Sequence, residues 1–159
     1  MEWFSKIGVL TAITSVIITS CTKTTCNEDI PTIGFSAFEQ FDDNTAKLVI
    51  TFKDCNGDIG LNQADSIDPA YQYNLFMEYY EKQNGNWVNL KPLIPYYYRI
   101  PVLYDGSGNS IEGDIEITMG SYFNPNSGFD TIKYEIYILD RALNKSNAVE
   151  TGDIIKPTI

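Results

Sequence analysis

Within residues 54–68 the chain carries Asp54, Asn56, Asp58, Asp65 and Asp68, together with Gly57 and Gly60. Carboxylates and an amide on one connection offer oxygen ligands. Calcium takes about six to eight of them, and alternate residues of a tight glycine-containing turn can aim several at one centre. The group suits a structural calcium ion that would stiffen the loop. The competing account is a solvated turn in which Asn and Gly supply positive φ and the aspartates face water. Sulfur chemistry is offered by Cys26 and Cys55. If residues near Phe35 and Val49 pair through a turn at Asp43, residue 55 falls opposite roughly residue 30, which brings Cys26 within disulfide reach. The chain holds no histidine. That removes Ser-His-Asp and Cys-His nucleophile systems and every zinc site with a histidine ligand. Paired-carboxylate chemistry would have to use Glu78, Glu81, Glu112 or Glu116, which strand alternation assigns to solvated faces. The sequence therefore reads as non-enzymatic, with no cofactor required and a structural calcium left open beside the solvated turn.

Cys21 offers a third chemistry. An apolar run over 7–18 follows Lys6 and stops at Thr19-Ser20-Cys21. It is shorter than the roughly 20 apolar residues needed to span a bilayer. Ile18-Thr19-Ser20-Cys21 resembles the lipobox of bacterial lipoprotein signal peptides, although Glu2 dilutes the positive start and Ile18 stands where Leu is more usual. The resemblance implies that 1–20 is a cleaved signal peptide and that Cys21 carries the lipid as mature N-terminus. It also makes 21–29 a polar tether, 30–159 the domain, and the membrane a partner through acyl chains. Glu28-Asp29 stands several residues behind Cys21, which leaves both the periplasmic and the surface side of an outer membrane open. The formal charge is −10, and because Glu2 and Lys6 cancel, the mature part keeps all of it. Nucleic acid, which needs Lys/Arg clusters, is excluded as a partner, as is docking on anionic lipid heads.

The elements that must position these groups are strands. β-Branched and aromatic residues alternate in short runs over 32–41, 45–53, 73–83, 87–90, 96–104, 111–119, 131–140 and 148–155, separated by Gly, Asn, Asp and Pro. Asn84-Gly85 is a two-residue hairpin signal. Pro95 and Pro101 make 96–104 an edge or bulged segment. No segment sustains a helical period for three turns. The expected fold is all-β, an antiparallel β-sandwich of about seven strands.

Residues 134–147 end in Asp140-Arg141-Ala142-Leu143-Asn144-Lys145-Ser146-Asn147. They resemble the last hairpin of bacterial immunoglobulin-like domains, where the turn reads Asp-Arg-Ala-Gly-Asn-Lys-Ser and Leu143 here replaces the glycine. With the lipobox and the run Phe52–Leu61, the chain is similar to small lipoproteins of the Bacteroidota that share an immunoglobulin-like body and an Asp-rich loop. That implies a lipid-anchored place in the cell envelope. It names no function, since sandwiches host many.

Tyr79, Tyr80, Trp87, Tyr96, Tyr97, Tyr98 and Tyr104 crowd three consecutive strand segments. Alternation puts Tyr96, Tyr98 and Ile100 on one face and Tyr97 and Arg99 on the other. Tyr96, Tyr97, Tyr98, Arg99 and Tyr104 form the expected contact surface. The resulting expectation is an accessory or interaction module that binds an envelope protein. The alternative is a lipoprotein that captures glycan or peptide on the Tyr-rich face.

Overall fold

In a computed structural model, residues 28–41, 44–103 and 108–157 are described. The signal segment, Cys21, Cys26 and Tyr104 lie outside them. The described residues form an all-β fold of two antiparallel sheets. Strands β1 (Thr32–Gln40), β2 (Ala46–Asp54) and β6 (Ile111–Met119) make the smaller sheet, in the order β1-β2-β6. The larger sheet is centred on β3 (Leu75–Gln83) and β7 (Thr131–Ile138). Short strands lie end to end along its two edges. β4 (Asn86–Leu90) and β5 (Tyr96–Tyr98) both pair with β3, while β8 (Val149–Glu150) and β9 (Ile154–Ile155) both pair with β7.

Local chemistry accounts for the breaks. Asn84 and Gly85 hold φ 51° and 85°, so a two-residue turn closes β3 onto β4 at the pair Gln83 and Asn86. The 148–155 segment, expected as one strand, is split where Gly152 takes φ 75°. Of the described residues 96–103 only Tyr96–Tyr98 is paired as a strand, because Pro101 lacks an N–H and Ile100 turns its carbonyl to Leu61 N (3.0 Å).

Period-two alternation fills the space between the sheets. β2 sends Leu48, Ile50 and Phe52 inward, and β7 sends Ile132, Tyr134, Ile136 and Ile138 to meet them. β3 adds Leu75, Met77 and Tyr79. Phe38 of β1 lies 6.2 Å from the Tyr134 ring, centroid to centroid, across the gap. Fully burying each such side chain contributes about 1.5–3 kcal/mol. The same parity has a second consequence. Asp54 ends the inward series of β2, Glu81 continues that of β3, and Asp140 follows Ile138 in the inward series of β7; all three are at most 1% exposed.

Candidate functional site

The acidic connection begins where β2 runs out. Asp54 turns inward and its Oδ2 accepts from Ile59 N–H at 2.7 Å, which curls residues 55–58 into a tight loop and drives Ile59 into the core. Within the curl, Asp58 N–H donates to Asn56 Oδ1 (3.3 Å). Gly57 and Gly60 hold φ 70° and 103° and lie flat against neighbouring backbone. A Cβ on Gly57 would sit 2.3 Å from the Asn109 carbonyl oxygen, and one on Gly60 2.4 Å from that of Pro101. Gly108 N–H to Asn56 O (3.1 Å) ties the loop to the start of the β6 segment.

The turn after β7 closes over the same place. Arg141 N–H donates to the Asp58 carbonyl at 3.3 Å, and its guanidinium Nη2 donates to Gly60 O at 3.2 Å. Asp140 is held by Asn144, whose N–H and side-chain amide reach its two carboxylate oxygens at 2.7 and 2.8 Å. Leu143 keeps the turn at φ 65° although it is not glycine. Burial, followed by the charges of Asp140 and Asp54, pushes the Asp58 carboxyl above its ordinary value against the pull of Arg141. Asp54 Oδ1 and Asp58 Oδ1 are both buried and have no hydrogen-bond partner.

Of the five oxygen-bearing residues expected to share a site, the structure brings together Asp54, Asn56 and Asp58. Asp65 and Asp68 serve elsewhere. They cap two short 3₁₀ turns, Gln63–Ile67 and Pro69–Tyr71, by accepting from Asn62 N–H (2.7 Å) and Ala70 N–H (2.9 Å). In their place stands Asp140, which sequence reasoning treated as part of a turn. Its one available signal was parity, two residues beyond an inward Ile138. Among the described residues, no three acidic, thiol or imidazole groups are already drawn to metal-ligating spacing. Cys55 is disulfide-bonded, and the chain's other two cysteines lie outside the described residues.

The second candidate is the outer face of the larger sheet. Register puts Tyr98 opposite Leu75 and Tyr96 opposite Met77, so both rings face inward. Tyr96 packs 5.2 Å from Tyr134 and 5.7 Å from Tyr79. Tyr97 faces out and joins a run of rings, Tyr73–Tyr97–Phe76–Tyr137, with centroid spacings of 5.9, 4.9 and 4.9 Å. Lysines anchor its members. Lys145 Nζ lies 3.6 Å above Tyr137, and Lys133 Nζ lies 5.4 Å from Tyr80 and 5.0 Å from Trp87. Between the rings, Glu78 accepts from Tyr97 OH (2.9 Å), Asn89 (3.3 Å) and Lys91. Partial burial pushes that carboxyl up, but these donors and the Lys91 charge outweigh it and hold it below the usual carboxylate range. Beyond Lys91, the loop between β4 and β5 presents Leu93 and Ile94, 100% and 82% exposed.

Arg99 does not join this face. Its guanidinium donates to the carbonyls of Asn62, Tyr71 and Gln72, pinning the 3₁₀ connection to the strand edge. Glu81, assigned by alternation to a solvated face, is instead inward and buried, and accepts from Tyr79 OH (2.9 Å) and Ser127 Oγ (2.7 Å). Compared with protein-family models, curated proteins and solved structures, the chain matches none.

Proposed function

We propose that this chain is a lipid-anchored, non-enzymatic binding module of a bacterial cell envelope, probed through the outer face of its larger sheet. The supporting observation is the continuous run of outward, half-buried rings from Tyr73 to Tyr137, with Tyr80 and Trp87 beside it and the aliphatic pair Leu93-Ile94 at its edge. Rings held on strands lose little entropy on contact, and aromatic anchors dominate protein interfaces. A tether at Cys21 would confine the face to a membrane surface, where modest affinity becomes effective through local concentration. The absence of histidine supports binding over turnover. A glycan is the second reading, favoured by the polar set Glu78, Asn89 and Lys91 lying between rings that could stack on sugars.

The test is recovery of the full chain from native membranes with and without the pair of substitutions Trp87→Ser and Tyr137→Ser. Loss of at least about tenfold of a stoichiometric partner is expected, with the melting temperature falling by no more than about 3–6 °C. A partner retained at full yield by the double variant would sink the assignment of this face. A glycan panel bound by the wild type and not by the variant would decide for the second reading. Mass spectrometry of the same material should find Cys21 acylated and N-terminal.

A further inference from the structure

We infer that Asp54, Asp58 and Asp140 form a calcium site that clamps the two sheets together at one end of the sandwich. The parity of the strands sets it up. Asp54 and Asp140 each occupy the next inward position after the core residues of a strand, Phe52 in β2 of one sheet and Ile138 in β7 of the other. Each carboxylate stands where the pattern calls for an apolar side chain. The bond from Arg141 N–H to the Asp58 carbonyl fixes the loop from one sheet against the turn from the other, so the two strand ends meet.

Among the described residues, the pull of Arg141 on Asp58 offsets this meeting only in part. Among the described residues, none of the ion pairs involves Asp54, Asp58 or Asp140, and the Arg141 guanidinium is spent on the Gly60 carbonyl. A buried carboxylate is costly unless paired or metal-bound. Asp140 is satisfied by Asn144, but Asp54 uses only one of its two oxygens, and the other is enclosed without a donor, as is Oδ1 of Asp58. A hydrogen-bond donor is what these atoms lack, and a cation supplies the same complement. The donor set is oxygen only, which is hard-ligand chemistry and suits calcium's flexible coordination shell better than a site for a soft metal. The carboxylates are not yet at ligand spacing, so binding draws Asp58 inward.

The ligand set differs from the one the loop's spacing suggests, since Asp65 and Asp68 already cap their own turns. That difference makes the test. The full chain, stripped with chelator, is titrated with calcium chloride by calorimetry and melted with and without the metal. At a hundredfold excess over Kd the melting temperature should rise by about 8 °C. Asp58→Asn should weaken Kd at least tenfold. Its metal-free melting temperature should equal or exceed that of the wild type, because a like charge beside Asp54 and Asp140 is gone. Asp140→Asn should also lose affinity, whereas Asp65→Ala should change Kd by less than twofold. If Asp140→Asn does not fold, the contrast between Asp58→Asn and Asp65→Ala still decides. Superimposable melts with calcium and chelator, or equal loss of affinity in Asp65→Ala and Asp58→Asn, would overturn the site.

Discussion

Replacing Gly57 by Ala tests whether the acidic loop is as tightly seated as its geometry requires. Two terms add. An L side chain at φ 70° enters the left-handed region, which costs roughly 1–2 kcal/mol. The new Cβ would also lie 2.3 Å from the Asn109 carbonyl oxygen, and that neighbour is backbone, so relief requires moving a segment rather than a rotamer. Overpacking of this kind costs about 1–3 kcal/mol. Against both, alanine narrows the unfolded ensemble by about 0.4–1 kcal/mol. The net is a loss of about 2–4 kcal/mol, or roughly 6–16 °C in melting temperature for a domain of this size. Gly60→Ala should behave alike, since its Cβ would meet the Pro101 oxygen at 2.4 Å with φ 103°. Gly85 is the internal control. It has φ 85° but nothing within 4 Å of a Cβ, so Gly85→Ala pays strain alone and should fall by only about 1 kcal/mol. Gly120→Ala, with no positive φ and open space, should be neutral or slightly stabilising. Thermal melts followed by circular dichroism rank the four. Gly57→Ala melting within about 2 °C of Gly85→Ala would mean that the loop does not press on Asn109, and the reasoning fails.

Two further outcomes are expected. Arg99→Met keeps the stem but removes donors to the carbonyls of Asn62, Tyr71 and Gln72, so limited proteolysis within 62–72 should accelerate several-fold while the melting temperature falls by only a few degrees; unchanged cleavage would show that the clamp contributes nothing. Glu78 faces Lys91, Tyr97 and Asn89, with Tyr137 and Glu135 across on β7, and its folded carboxyl lies below the ordinary 4.5. A depressed carboxylate stabilises fully above its unfolded value and loses that contribution as pH falls through the folded one. The stability gap between wild type and Glu78→Gln should therefore be widest above the ordinary carboxylate value and shrink as pH falls below it, and a gap that widens on acidification would reverse the sign of the argument.

The alternation of the strands and the Asn84-Gly85 turn were legible because each depends on neighbours in sequence. Which parity of a strand faces the core was not always legible. Tyr79 and Tyr80 are adjacent and chemically alike, so nothing local says that Tyr79, and Glu81 with it, turns inward while Tyr80 faces out. A carboxylate in such a run reads as solvated until Tyr79 OH and Ser127 Oγ are seen to reach it. Arg99 misleads in the same way, since its partners are carbonyls of a distant connection and every residue type supplies a carbonyl. The cluster at Asp54 was half legible. Asn56 and Asp58 lie on the same short loop, whereas Asp140 arrives from the other sheet, and only the pairing of strands reveals that the two ends coincide.

The three inward acids are not equivalent, and the difference locates the chain's unresolved electrostatics. Glu81 is surrounded by hydroxyl donors from Tyr79 and Ser127, and Asp140 by both nitrogens of Asn144. Each is neutral in cost to the extent that its oxygens are bonded. Asp54 alone of these three keeps a buried oxygen without a donor, and it does so next to Asp58, whose carboxyl burial and its neighbours push upward. A chain of charge −10 gains nothing from holding the half-buried Asp58 against the fully buried Asp54 unless a positive group completes them. The Gly57 and Gly60 contacts show that the loop is not free to swing these carboxylates into solvent, because its backbone is wedged against Asn109 and Pro101. Relief must then come from an ion that enters between the acids, with the Asp58 side chain closing on it. An ion from outside can do so without disturbing the sheets, which is why the end of the sandwich, and not its aromatic face, is where added cations should change stability first.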